Sequence, residues 1–314
     1  MRRRTLGWIS ALTAVGLALA GCGGTNGSGG TNGSATASTA ASAAAYPVTA
    51  GGVTLDRRPA HIVSLSPTAT EMLFAIGAGS QVVAVDDQSD YPSTAPKSDL
   101  SGYKPNAEAI AAKNPDLVVI SDETNKIKEQ LASLKIPVYQ AAAAKTLDDS
   151  YAQLTALGAL TGHASEASAQ IAKERDAIDK LVAAVPRRTK PLTYYYELDS
   201  TFYSATSKTF VGALLGRLGL VNIADAADKV GSGYPQLSAE TIVKANPDLI
   251  FLADTRCCAQ SNATVARRAG WAGVTAVRKG QVVNLDDSIA SRWGPRVVDL
   301  VRTVADAVGK VPAS

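Results

Sequence analysis

Apolar residues return every three or four positions between Ala164 and Val185, at Ile171, Ile178, Leu181, Val182 and Val185, while Lys173, Glu174, Arg175 and Asp176 crowd the other side. That spacing predicts one amphipathic helix, preceded by Gly162 and ended by Pro186. On each side of it the chain repeats itself. Ala107 to Asp122 reads AEAIAAKNPDLVVISD and Ala239 to Asp254 reads AETIVKANPDLIFLAD, 132 positions later and identical at eight of sixteen. Each copy predicts a short helix, an Asn-Pro-Asp stop, and an unbroken apolar run that suits a parallel strand buried on both faces.

The same alternation continues around both copies. Before the central helix, strands are expected at His61–Leu65, Gln81–Val85, Leu117–Ile120 and Pro137–Tyr139. Helices are expected at Glu71–Ile76, stopped by Gly77, at Asn106–Lys113, up to about Leu134, and at Leu147–Leu160. After the central helix come a strand at Leu192–Glu197, a helix at Phe210–Leu218 stopped by Gly219, and the second copy, with its helix at Ser238–Ala245 and its strand at Leu249–Leu252. A strand at Gln281–Leu285 and a closing helix at Pro295–Val308 follow. Tyr194, Tyr195 and Tyr196 should alternate between core and surface along their strand. Strands alternating with helices predict an α/β fold of two lobes, each with a parallel sheet, joined by a single long helix. The N-terminal lobe spans 46–162, beginning its first strand near Pro59, the linking helix 163–186 and the C-terminal lobe 187–314. A single rigid crossing limits hinge motion.

The first 45 residues follow another pattern. Arg2, Arg3 and Arg4 precede an apolar run from Leu6 to Ala20, and Leu19-Ala20-Gly21-Cys22 places small residues before a cysteine. This resembles a bacterial lipoprotein signal over residues 1–21, with Cys22 as the lipidated first residue of the mature chain. The Gly/Ser/Thr/Asn/Ala tract over 22–45 reads as a tether with a reach of roughly 25–30 Å. The expectation is an exported protein held by lipid on the outer face of the cell membrane.

Charge and residue chemistry narrow the function. The formal charge of +3 resides in Arg2, Arg3 and Arg4; without them 28 basic and 28 acidic residues balance, which gives no case for nucleic acid. His61 and His163, the two histidines, are too few for a bare-metal site of several histidines. Neither a Gly-x-x-x-x-Gly-Lys loop nor a Gly-x-Ser-x-Gly elbow occurs, so a binding protein without enzymatic activity or cofactor is expected. Adjacent Cys257 and Cys258 leave two states open, a pair of thiols or a strained vicinal disulfide.

Several strings occur in order along the chain: HIVSLSPTATEMLF from His61, Ser89-Asp90-Tyr91-Pro92, the two Glu-x-Ile copies with Asn-Pro-Asp-Leu, and Tyr234-Pro235-Gln236-Leu237-Ser238. Together they resemble the vitamin B12 and iron-siderophore binding proteins of ABC importers, from about Pro59 to Val308. The resemblance implies two lobes on a backbone helix, a corrinoid or ferric siderophore held between them, and delivery by a monomer to permease subunits and their ATPase.

Candidate site residues follow in two groups. Asn106 and Ser238 are natural N-caps, placing Glu108 and Glu240 in the first turns of matching helices, where a carboxylate complements the helix dipole. The resemblance implies a further role for both, pairing with arginines of the permease. The ligand candidates are Gln88, Tyr103, Phe202, Tyr203, Tyr234, Asp287, Arg292 and Trp293, in loops at strand ends or just before helices, where open α/β sheets place ligands. Arg256 and the two cysteines are further candidates for the cleft. Asp286 and Asp287 would repel a triply anionic chelate and tolerate a neutral complex or a corrinoid. A tethered sensor without a transporter is the competing expectation; it needs neither Glu108 nor Glu240.

Overall fold

The computed structural model of the chain describes residues 45–312; the expected signal, Cys22 and all but the last residue of the expected tether lie outside the described residues. The description opens with a hairpin that the hydrophobic pattern did not predict, β1 (Val48–Ala50) against β2 (Val53–Leu55), packed on the N-terminal lobe ahead of Pro59. The strand β3 (Ile62–Leu65) follows, then α1 (Pro67–Ala75), whose N-cap Ser66 accepts a hydrogen bond from the N–H of Ala69 and whose first residue is proline. Next come β4 (Val82–Val85), α2 (Ala107–Ala111), β5 (Leu117–Ile120), α3 (Ile127–Ser133), β6 (Val138–Gln140) and α4 (Leu147–Thr161). The linking helix is α5 (Ala164–Ala184). Beyond it lie β7 (Thr193–Glu197), α6 (Phe210–Arg217), β8 (Val221–Asn222), α7 (Ala239–Ala245), β9 (Leu249–Leu252), α8 (Asn262–Ala266), α9 (Thr275–Arg278), β10 (Val282–Asn284), α10 (Asp287–Ala290) and α11 (Val297–Lys310).

Two four-stranded parallel sheets result, ordered β4-β3-β5-β6 and β8-β7-β9-β10. The repeat explains their likeness. Ile62 pairs with Leu117 as Tyr194 pairs with Leu249, and Leu65 with Ile120 as Glu197 with Leu252, each residue 132 positions from its counterpart. The Asn-Pro-Asp stop has the same mechanics in both lobes. Asn114 and Asn246 take the left-handed conformation at φ 49° and 48°, which asparagine tolerates better than most residues. The aspartate then clamps the start of the neighbouring central strand. Asp116 accepts from the N–H groups of Ala60 and His61 at 2.8 and 3.0 Å, and Asp248 accepts from the N–H and hydroxyl of Thr193 at 2.9 and 3.0 Å.

Two expectations are corrected here. Tyr194, Tyr195 and Tyr196 do not alternate between core and surface: all three are buried, because β7 is a central strand with helices on both faces. Glu174 does not lie on the polar face of α5. It falls one turn from Ile171 and Ile178, on the buried stripe, with Gln170 Nε2 donating to one carboxylate oxygen at 2.8 Å and the other oxygen unpartnered. Burial pushes its carboxyl up to about 7.

Both lobes pack on α5, the N-terminal lobe through α4 and the C-terminal lobe through α11. The lobes also meet directly. Glu71 of α1, the one charged residue of that helix and buried, accepts from Arg292 Nη1 at 2.8 Å and from Arg296 Nε and Nη2 at 2.9 and 2.5 Å. Trp293 Nε1 donates to Gln153 Oε1 at 2.8 Å, and Ser150 Oγ donates to the Trp293 carbonyl at 2.5 Å. The covalent crossing at α5 is therefore backed by a second, non-covalent one.

Candidate functional site

A cavity of about 640 Å³ lies between α1, α5, α11 and the Tyr91-Pro92 segment. A cavity of about 400 Å³ opens instead at the C-terminal edge of the N-terminal sheet, the edge where parallel sheets take ligands. Every strand of that sheet leads into it: Leu65 and Ser66 at the end of β3, Asp86 after β4, Ser121 and Asp122 after β5, and Ala143 after β6. The C-terminal lobe closes it with Asp287, Ser288, Ser291, Arg292 and Trp293.

Of the eight residues expected at a ligand, five line this cavity: Gln88, Tyr103, Asp287, Arg292 and Trp293. Tyr103 is exposed at its mouth, and Gly102 lets that loop come close, since a Cβ there would stand 2.8 Å from the Leu65 carbonyl and 2.9 Å from Asp86 Oδ2. The other three lie outside the lining. Phe202 is half-buried in the C-terminal lobe, stacked on Trp271 at 5.8 Å with the Arg268 guanidinium 5.3 Å above its ring. Tyr203 and Tyr234 are exposed on loops joined through the bridge of Tyr203 to Gln236.

The polar groups have defined duties. Arg292 gives its donors to Glu71, to Asp90 at 2.8 Å and to the Gln88 carbonyl at 2.9 Å, so it fixes the loop after β4 against the C-terminal lobe. Arg296 adds its guanidinium over the Tyr91 ring at 4.3 Å. Asp287 accepts from the N–H and hydroxyl of Thr255 at 2.9 and 2.8 Å and from the N–H groups of Arg256 and Cys257, each at 2.9 Å. Burial alone would raise its carboxyl, but these hydrogen bonds outweigh burial and hold it below the ordinary value. Asp86 is buried and shifts the other way, because burial outweighs its 2.5 Å hydrogen bond from Ser89 Oγ.

Glu108 and Glu240 are exposed in the first turns of α2 and α7, where Asn106 and Ser238 cap the N–H groups of Ala109 and Thr241 at 2.9 and 3.1 Å. Cys257 and Cys258 are unbonded to one another in this structure. Among the described residues, no group of three or more His, Cys, Asp and Glu side chains is arranged to hold a metal ion.

Glu71, Asp86, Asp90 and Arg296 were not singled out by sequence reasoning. A trace of two was there: Glu71 is a lone charge inside TATEMLFAI, and Asp86 directly follows the apolar run of β4. Neither pattern names its partner.

Comparison with known proteins places this geometry. The family described as periplasmic binding protein matches residues 62–289. A cobalamin-binding protein of Halobacterium salinarum is 32% identical over 279 residues, covering 84% of this chain and 75% of its own. YvrC of Bacillus subtilis, an uncharacterized ABC transporter substrate-binding lipoprotein, is 29% identical over 324 residues, covering 98% of both chains. The crystal structure of the vitamin B12 binding protein BtuF of Vibrio cholerae superposes with a TM-score of 0.66 at 26% identity, covering 80% of this chain and 96% of that one. The family match takes in all four strands of each parallel sheet and the helix between the lobes, and the chain belongs to the periplasmic binding protein family.

Proposed function

We propose that the chain is the substrate-binding component of an ABC importer, lipid-anchored through Cys22, and that it captures a corrinoid between its lobes and hands it to the permease. The lining of the cavity carries this reading. Tyr103 and Trp293 supply aromatic surface, and Asp86, Asp122 and Asp287 outnumber Arg292, whose guanidinium is already engaged by Glu71, Asp90 and the Gln88 carbonyl. Such a lining favours a large ligand with flat apolar faces and no net negative charge, and it disfavours a triply anionic ferric chelate. The cobalamin-binding relative supports the same ligand class, and the lipoprotein relative supports the anchor. Glu108 and Glu240, exposed at equivalent positions in the two lobes, are the docking residues for the permease, orienting it through ion pairs worth about 0.2–1 kcal/mol each.

The test is a titration of the full chain in detergent, following tryptophan fluorescence against cyanocobalamin and ferric hydroxamate, catecholate and citrate complexes. Trp293 lines the cavity and Trp271 is buried in the C-terminal core, so Trp293→Phe should remove most of the response. Saturable quenching by cyanocobalamin alone is expected. Saturation only by a ferric chelate overturns the corrinoid assignment, and no saturation by any of them overturns capture in this cavity.

A further inference from the structure

The turn after β9 holds the vicinal pair Cys257-Cys258, with Cys257 exposed and Cys258 half-buried. This turn is tied to the cavity described above. Asp287, which lines the cavity, accepts three successive backbone N–H groups of the turn and the Thr255 hydroxyl, all between 2.8 and 2.9 Å. From the same turn Arg256 Nη1 reaches to 3.8 Å from Asp90 of the other lobe. On the far side the N–H groups of Cys258 and Gln260 both donate to the Asp254 carbonyl at 3.3 Å, and Ala259 is held at a left-handed φ of 52°. The turn therefore has little slack in either direction.

We propose that Cys257 and Cys258 form a reversible thiol–disulfide modification site whose closure releases the turn from Asp287 and loosens the Arg256–Asp90 contact at the cleft rim. Adjacent Cα atoms stand about 3.8 Å apart, closer than the roughly 4.4–6.8 Å that ordinary disulfides span. An eight-membered ring closes over that distance only by redistributing the torsions of both residues. The Cys257 N–H, one of the bonds to Asp287, is attached directly to a ring atom and moves with it.

The oxidant is an organic disulfide. One cysteine, as thiolate, attacks a sulfur of the disulfide, forms a mixed disulfide and expels one thiol. The second cysteine then attacks the cysteine sulfur of that mixed bond and expels the other thiol. One S–S bond breaks for each one formed, and the two cysteine protons and two electrons leave with the oxidant as two thiols. Partial desolvation, with the neighbouring Cys258 thiol and the Asp287 and Asp254 carboxylates, pushes the Cys257 thiol up to about 12, so attack by Cys257 is slow at neutral pH and quickens in alkali.

An effect on ligand capture rests on the function proposed above; the modification itself does not. The experiment equilibrates the full chain with glutathione and glutathione disulfide at pH 7 to 9. It reads intact mass after acid quench and alkylation, and amide hydrogen exchange across 254–258 in the same samples. The expected oxidised species is two hydrogens lighter, unalkylated at both cysteines, and reverts with dithiothreitol. Its amides at 255–257 exchange about tenfold faster or more, as the loss of hydrogen bonds to a carboxylate requires. The Cys257→Ser/Cys258→Ser variant should show neither change. A chain that stays reduced, one that carries glutathione on both cysteines, or one that closes the disulfide with unchanged exchange overturns the proposal. If cyanocobalamin binds neither redox form, the corrinoid reading fails, while mass and exchange still decide the site.

Discussion

Replacing Glu71 by alanine removes the carboxylate on which two arginines of the opposite lobe converge. Its side chain is 1% exposed, and those of Arg292 and Arg296 are 11% and 17% exposed, so water cannot take its place cheaply. Arg292 retains Asp90, whereas Arg296 loses both oxygens it holds and keeps the Tyr91 ring. Breaking one partner out of a buried ion pair costs about 3–5 kcal/mol, mainly the penalty of a cation left behind. At about 2–4 °C per kcal/mol for a unit of this size, the unfolding temperature should fall by about 6–20 °C. Calorimetry at pH 7 on the full chain measures it. In a double-mutant cycle, adding Arg296→Met to Glu71→Ala should restore part of the loss, because the stranded charge is gone. The reasoning fails if Glu71→Ala lowers stability by less than about 1 kcal/mol, or if the two substitutions are additive.

Glu174 sets a pH dependence of definite sign. Its carboxyl is raised from 4.5 to about 7, so the folded chain binds that proton more tightly than the unfolded one. This group's contribution is fully present below about pH 4.5 and is lost as pH rises through about 7. Glu174→Gln should therefore raise stability at pH 8 by about 3 kcal/mol, roughly 6–12 °C in unfolding temperature, and change little at pH 4.5 in the same thermal scan. Asn246 holds φ 48° and its Oδ1 accepts from the N–H of Thr275 at 2.7 Å, so Asn246→Ala should cost about 1–2 kcal/mol by urea denaturation, with Asn246→Gly recovering the backbone part. Reversing both Glu108 and Glu240 to lysine should impair uptake of the ligand by cells carrying the importer while fluorescence titration gives unchanged affinity; intact uptake would refute the docking role.

The repeat shows how far sequence reading reaches. The strands Leu117–Ile120 and Leu249–Leu252 fall where their apolar runs predict, and Asn106 and Ser238 cap the helices they are expected to cap. The hairpin ahead of Pro59 escaped because its three-residue strands are too short for any period to register. The three tyrosines of β7 were misjudged because aromatic residues suit both a half-exposed and a fully buried strand. Glu174 was misjudged because its charge outweighed its position on the helix stripe. At the cleft, loop position selected Gln88, Tyr103, Asp287, Arg292 and Trp293, which line one cavity, and also Phe202, which turns inward onto Trp271.

Two lobes, parallel sheets, the linking helix and the family were determined along the chain itself, because periodicity, caps and the 132-residue repeat are local or self-similar signals. The tertiary structure alone decided what each polar group near the cleft does. Glu71 meets Arg292 and Arg296 across 221 and 225 positions, and Gln88 meets Arg292 across 204. No local pattern encodes such pairings; they exist only once two independently patterned lobes have packed on α5 and brought a carboxylate and two guanidiniums together out of water.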